Sequence, residues 1–213
     1  MKTKTLSILM LAAFGLGVVA LAPTSAQAQP AATEAKQFQA EFAFVNKFTS
    51  EGLDFLSDKG MTLAQKRGRF NSLLTKNFDL NTIGQFVLGT YWRQATPAQR
   101  SEYQKLFKDM VVDIYTNRFN EYNGEKVVTK GARQVPNSSD VAVTSHIMPL
   151  DGSEPVPVEW RVRNRDGNMK VVDVKVAGVS MSVTQRSDFA SVISRGGGNV
   201  DALLQHLRTQ TKR

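Results

Sequence analysis

The chain has 213 residues, with 27 Lys and Arg against 19 Asp and Glu, two histidines and no cysteine. Without cysteine, a disulfide scaffold and a lipidated N-terminal cysteine are excluded, and stability has to come from buried apolar surface. The formal net charge of +8 favours an anionic partner, whether nucleic acid, membrane or an acidic protein.

Residues 1–28 read as a signal peptide. Lys2 and Lys4 form a basic start, "LSILMLAAFGLGVVALA" an apolar core, and Ala26-Gln27-Ala28 a small-x-small cleavage site. The apolar run is short for a membrane anchor and is not followed by basic residues. Residues 29–213 are then expected to form one domain, long enough for a sizeable core, in a bacterial periplasm. Removal of the leader leaves 25 basic and 19 acidic side chains, about +6. Export argues against nucleic acid.

The next segments are helical. Phe38, Phe42, Val45 and Phe48 recur at helical spacing in a run that ends at Lys59-Gly60. Thr62 and Gln65 form a capping box for a second helix. Asp79 opens a short third, which Gly89 stops. Thr96, Pro97 and Gln99 start the longest helix, with Tyr103, Leu106, Phe107, Met110, Ile114 and Tyr115 along one face and Gly124 suited to its C′ position.

The period then changes to two. "EKVVTKGARQV", "DVAVTSHIMPL", "VPVEWRVRNR" and "MKVVDVKVAGVSMSVT" read as four strands, and Asp166-Gly167 marks a tight hairpin. "SDFASVI" and "NVDALLQHLRTQTK" close the chain as helices on either side of "RGGG". Helices followed by a strand meander predict an α+β domain, with N-terminal helices packed on one face of a mainly antiparallel four-stranded sheet. Val158, Trp160 and Val162 point one way and Glu159, Arg161 and Arg163 the other. Val172, Val174 and Val176 alternate with Asp173 and Lys175, and Val141, Val143 and Ile147 complete one apolar face.

Reactive chemistry is sparse. His146 and His206 lack metal-ligand spacing, so neither a metal nor a catalytic residue is expected. "GVSMS" lacks the second glycine of a nucleophile elbow, which leaves Ser180 an ordinary strand or bulge residue. "RGGGN" lacks the Lys-Ser/Thr of a phosphate loop and reads as a turn with Asn199 as a helix cap. Tyr91, Trp92 and Arg93 read equally as the edge of a core or as an aromatic rim with a cation.

Several motifs occur in a specific order. They are Phe78-Asp79, Leu88-Gly89 with Trp92, Thr96-Pro97-Ala98-Gln99, Asp173 to Ser180, Arg186 to Phe189, and Gly198 with Leu203-Leu204. In this order the chain resembles the MlaC family, periplasmic phospholipid-binding proteins also described as toluene-tolerance auxiliary proteins. The resemblance covers nearly all of residues 29–213 and departs at Thr184-Gln185, where the family often carries an aromatic. It implies that the sheet is curved, in a nuclear-transport-factor-like cup with an apolar cavity. It also implies a monomeric, non-catalytic carrier with no cofactor beyond its bound phospholipid. Such a carrier exchanges lipid between an outer-membrane lipoprotein complex and an inner-membrane ABC transporter with an MCE-domain subunit. A hopanoid or other lipid is the alternative cargo, and a periplasmic lipid hydrolase or a solid-core interaction module the alternative function.

On that basis the cavity wall is expected to include Val143, Ile147, Trp160, Val162, Val172, Val174, Val176, Val179 and Met181 from the sheet. The long helix would add Phe107, Met110, Val111, Ile114 and Tyr115, and Tyr91 and Trp92 would form the rim. A sixteen-carbon chain withdrawn from water gains roughly 12 kcal/mol, at about 0.8 kcal/mol per CH₂. An aqueous carrier therefore needs an enclosed apolar surface and few polar contacts.

Overall fold

A computed structural model describes residues 37–210. The expected signal peptide and cleavage site lie outside the described residues. The helices are α1 (Gln39–Ser57), α2 (Leu63–Asn77), α3 (Leu80–Leu88), α4 (Tyr91–Gln94) and α5 (Pro97–Thr116). A 3₁₀ turn, Phe119–Glu121, leads into β1 (Lys126–Gln134), β2 (Val141–Met148), β3 (Val156–Arg165), β4 (Asn168–Val176) and β5 (Val179–Ser180). Helices α6 (Met181–Arg195) and α7 (Val200–Gln210) close the described chain.

The caps read from sequence form as expected. Thr62 with Gln65 and Thr96 with Gln99 make reciprocal capping boxes, with Pro97 in the first turn of α5. Asp79 caps α3 by accepting from the Thr82 amide at 2.9 Å. The long helix stops at Thr116, well before Gly124. The Thr116 hydroxyl donates back to the Val112 carbonyl at 2.7 Å. The chain then turns so that Phe119 reaches Phe55 and Phe70, with ring centroids at 6.1 and 5.3 Å.

The sheet is antiparallel in the order β1-β2-β3-β4-β5. Asp166-Gly167 joins β3 to β4 with φ of 52° and 84°, as a type I′ hairpin requires. The fourth expected strand is shorter than its alternation suggests. Ala177 and Gly178, with φ of 50° and 83°, turn the chain back after Val176. Only Val179 and Ser180 pair again, and α6 begins at Met181 rather than near Ser187. The cause is local: the Ser180 hydroxyl accepts from the Val183 amide at 3.2 Å and so starts a helix.

Two bulges bend the sheet. The register shifts between Thr129 and Gly131 on β1, and again opposite Arg161 and Val162, where Val172 is the extra residue on β4. Such insertions increase local twist and curvature. Helices α1 and α2 cover the concave face, and α3 to α7 form a second body beside β4.

The apolar groups therefore divide into two cores. One joins α1 and α2 to the sheet, through Val45, Phe48, Phe55, Leu73, Val141, Val143, Val162 and Val171. The other is helical and includes Leu88, Tyr103, Phe107, Met110, Phe189, Ile193 and Leu203. The convex face of the sheet carries ion pairs instead. Glu159 bridges Arg133 at 2.5 Å and Lys175 at 3.0 Å, while Asp140 holds Arg161 at 2.6 Å and Arg163 at 2.8 Å.

Candidate functional site

The concave face is the chemically uniform surface of the described chain. Register places Val141, Val143, Ser145 and Ile147 of β2 opposite Val162, Trp160, Val158 and Val156 of β3. Across β3 lie Val171, Val174 and Val176 of β4. Phe44 and Phe48 of α1 project onto this face, and Phe78 closes its β4 edge. The Phe48 ring stands edge-on to Trp160 at 5.1 Å and to Phe78 at 5.9 Å. A second group, Phe55, Phe70, Phe119 and Tyr115, continues the surface toward the end of α5.

Polar side chains interrupt it at Ser145 and Trp160, and they satisfy each other. The Trp160 indole N–H donates to the fully buried Ser145 hydroxyl at 3.1 Å. An indole nitrogen drawn out of water without a partner would be costly, and Ser145 supplies its acceptor.

The structure gathers some of the residues expected from sequence and separates others. Val143, Trp160, Val162 and Val174 fall in the α1–α2–sheet cluster, and Ile147 and Val176 continue the same rows by register. Val172 leaves its expected row. The bulge makes Val171 the partner of Val162, so Val171 takes that place in the row while Val174 and Val176 keep theirs. Val179 pairs with Val176 and so stays in its row, but it is exposed at the sheet edge; Met181 belongs to the first turn of α6.

Tyr91, Trp92, Phe107, Met110 and Val111 belong to the helical core. The α5 face that carries Phe107 turns toward Phe189, at 6.3 Å between rings, and not toward the sheet. Trp92 packs at 6.5 Å from Tyr103, with the Arg100 guanidinium 5.3 Å from its ring. That arrangement is the core edge rather than the rim. Ile114 and Tyr115 are both about 40% exposed; Tyr115 alone reaches the aromatic surface, 5.8 Å from Phe70. The phenylalanines of α1 and α2 were absent from the expected wall. Their signal was the richness of the chain in phenylalanine, 12 residues, with Phe44, Phe48 and Phe55 on one helical face.

The polar groups serve structure. Asp173 accepts from the Ser180 hydroxyl at 2.8 Å and the Ser182 hydroxyl at 2.7 Å, which ties β4 to the start of α6. Ser180 is thus a helix cap held by a carboxylate. His146 lies on the opposite sheet face, paired with Pro157 and Val128, and His206 contacts Gln210 at 2.9 Å. Among the described residues no cluster of three or more His, Cys, Asp or Glu is placed to hold a metal. No described helix is long and apolar enough to cross a membrane.

The motifs that carried the resemblance meet in space. A methyl group on Gly89 would lie 2.8 Å from the Arg186 side chain. Gln99 donates to Asp201 at 2.8 Å, and Phe78 bridges to Val171 beside Asp79. The first two join helices to one another, and the third joins the helical body to β4.

Known proteins share this arrangement. The family described as MlaC protein matches residues 46–209. Over 132 residues the chain is 24% identical to an intermembrane phospholipid transport system binding protein MlaC of Haemophilus influenzae, covering 61% of each chain. It is 28% identical over 134 residues to a toluene tolerance protein of Pseudomonas putida, covering 62% of this chain and 60% of the relative. The matches thus span about three fifths of the length of these curated relatives. A phospholipid-binding protein from Ralstonia solanacearum, solved with a phospholipid, superposes with a TM-score of 0.68 at 26% identity, over 80% of this chain and 96% of that one. With a family match across both cores and a shared fold, this chain belongs to the MlaC family.

Proposed function

We propose that the chain is a periplasmic phospholipid carrier, made with a cleaved leader over residues 1–28 and acting as a single lipid-binding domain over 29–213. The observation that carries this reading is the aromatic and aliphatic surface between α1, α2 and the concave sheet face, with Phe48, Phe78 and Trp160 at its centre. It supplies what an acyl chain needs, apolar contact shielded from water. The names of the relatives and the phospholipid in the Ralstonia protein support it. The carrier acts without catalysis, as a monomer. It exchanges lipid with an outer-membrane lipoprotein complex and an inner-membrane ABC transporter bearing an MCE domain.

Native mass spectrometry of protein purified from periplasm tests this directly. A mass increment equal to a phospholipid, whose headgroup is then identified by extraction, is the expected result. A sterol-like or hopanoid increment would change the cargo. Turnover of the bound lipid during storage would favour a hydrolase, and a clean apo mass at every lipid concentration offered would sink the carrier.

A further inference from the structure

A cleft of about 440 Å³ opens where the β3–β4 hairpin meets the α2–α3 junction. Its wall brings together Lys108 of α5, Arg163 and Arg165 of β3 and Lys170 of β4, with Asp79 as the acidic group. Four cations in one concavity repel each other unless an anion joins them.

The partners within the protein leave much of that charge unmet. Arg163 is bound to Asp140 through Nε and Nη2, at 2.8 and 2.9 Å. Lys170 donates to the Lys76 carbonyl. Lys108 and Arg165 make no salt bridge among the described residues. Asp79 has both oxygens engaged by Thr82, at 2.9 Å to the amide and 2.6 Å to the hydroxyl. Burial pushes the Asp79 carboxyl up, but the Thr82 hydrogen bonds and the charges of Arg165 and Arg163 outweigh it and hold it below the usual value. Asp79 therefore stays an anion that caps α3 and offsets one of the four positive charges.

We propose that this cleft binds a phosphate group. A tetrahedral oxyanion can accept from several fixed cations at once, and arginine forks match its oxygens better than point charges do. Phe78 connects the cleft to the apolar surface, since it lines the cleft while its ring packs 6.5 Å from Trp160. A lipid with its chains in the cup has its phosphate within reach across Phe78. The binding itself stands on the cleft, and only the headgroup as its source rests on the carrier reading.

The test uses a Lys108→Ala/Arg165→Ala variant beside the parent. Inorganic phosphate is titrated while backbone amide shifts around Asp79 and Lys170 are followed. Loading is also measured with pyrene-labelled phosphatidylglycerol and pyrene-labelled diacylglycerol. The parent should show saturable phosphate shifts, and the variant should bind phosphate about tenfold or more weakly with an unchanged melt. If phosphatidylglycerol loading falls with it while diacylglycerol holds, the source is the headgroup of the carried lipid. If only inorganic phosphate is affected, the site takes free phosphate. Absent or non-saturable shifts in the parent, or equal affinity in the variant, would overturn the site. A parent that takes up neither lipid defeats the carrier reading, and the phosphate titration still decides the cleft. Should the alanine variant melt early, Lys108→Gln/Arg165→Gln repeats the comparison with the stems retained.

Discussion

At the scale of single residues, buried polar atoms show most clearly how the fold constrains the sequence. Ser145→Ala should leave the Trp160 indole N–H without its acceptor, at a cost of about 1–3 kcal/mol, measured by urea unfolding; an unchanged midpoint would mean the nitrogen finds another partner. Asp140 is a second case. Its side chain is 1% exposed between Arg161 and Arg163. Burial pushes its carboxyl up, but hydrogen bonds and charge from the two arginines prevail and the net shift is downward. A depressed folded value stabilises the protein above the ordinary carboxylate range, and that stability is lost as pH falls through the folded value. The melting temperature should therefore drop as pH falls below about 4, and Asp140→Asn should lower it at neutral pH while flattening this acid limb. An Asp140→Asn variant with the parental acid profile would contradict the assignment.

At the scale of elements, the junction of α3 with α6 depends on one glycine. Gly89 ends α3 at φ 61° and ψ −130°, close against Arg186, whose guanidinium lies 5.2 Å from the Phe86 ring. Gly89→Ala meets both an unfavourable backbone and a steric clash, and should cost about 1–3 kcal/mol. Thermal melts of Gly89→Ala and of Gly89→Ala with Arg186→Ala separate the two: relief in the double variant assigns part of the cost to the clash. The β4–β5–α6 connection follows the same logic. Alternation from Val171 onward reads as one long strand. Asp173 and Ser180 instead close a tight hairpin and start a helix, a choice made by hydrogen bonds between residues seven apart.

At the scale of the whole molecule, two apolar cores have different duties. The helical core is closed around Tyr103, whose hydroxyl donates to the Gly84 carbonyl at 3.0 Å. The other core holds the surface proposed to receive lipid. Phe107→Glu buries a charge in the first and should unfold the protein or cost several kcal/mol. Val174→Glu lies on the half-buried surface of the second, so the variant should fold and carry little lipid. A thermal melt with parallel lipid extraction decides: collapse of Val174→Glu would make that face a solid core, and full lipid load would place the ligand elsewhere. Docking to the proposed membrane complexes should also slow as salt rises, because the Debye length falls from about 10 Å at 0.1 M to about 3 Å at 1 M; salt-independent rates would indicate an apolar interface.

The sequence alone determined what short-range physics controls. Both capping boxes, the Asp166-Gly167 hairpin and the α+β order were legible because each depends on residues a few positions apart. The ordered motifs also identified the family, and several of them meet at the junctions between helices and with β4. Tertiary structure decided which apolar residues share a surface. Phe107 and Val143 look alike in a hydrophobic pattern, yet one faces Phe189 and the other the aromatic cup. Val172 lost its row to a bulge formed with β3, a strand paired only in the folded state. The basic cleft unites residues from α2, α3, α5, β3 and β4. Burial acts on any apolar side chain without regard to direction, so only the three-dimensional packing of distant segments fixes which face each side chain meets.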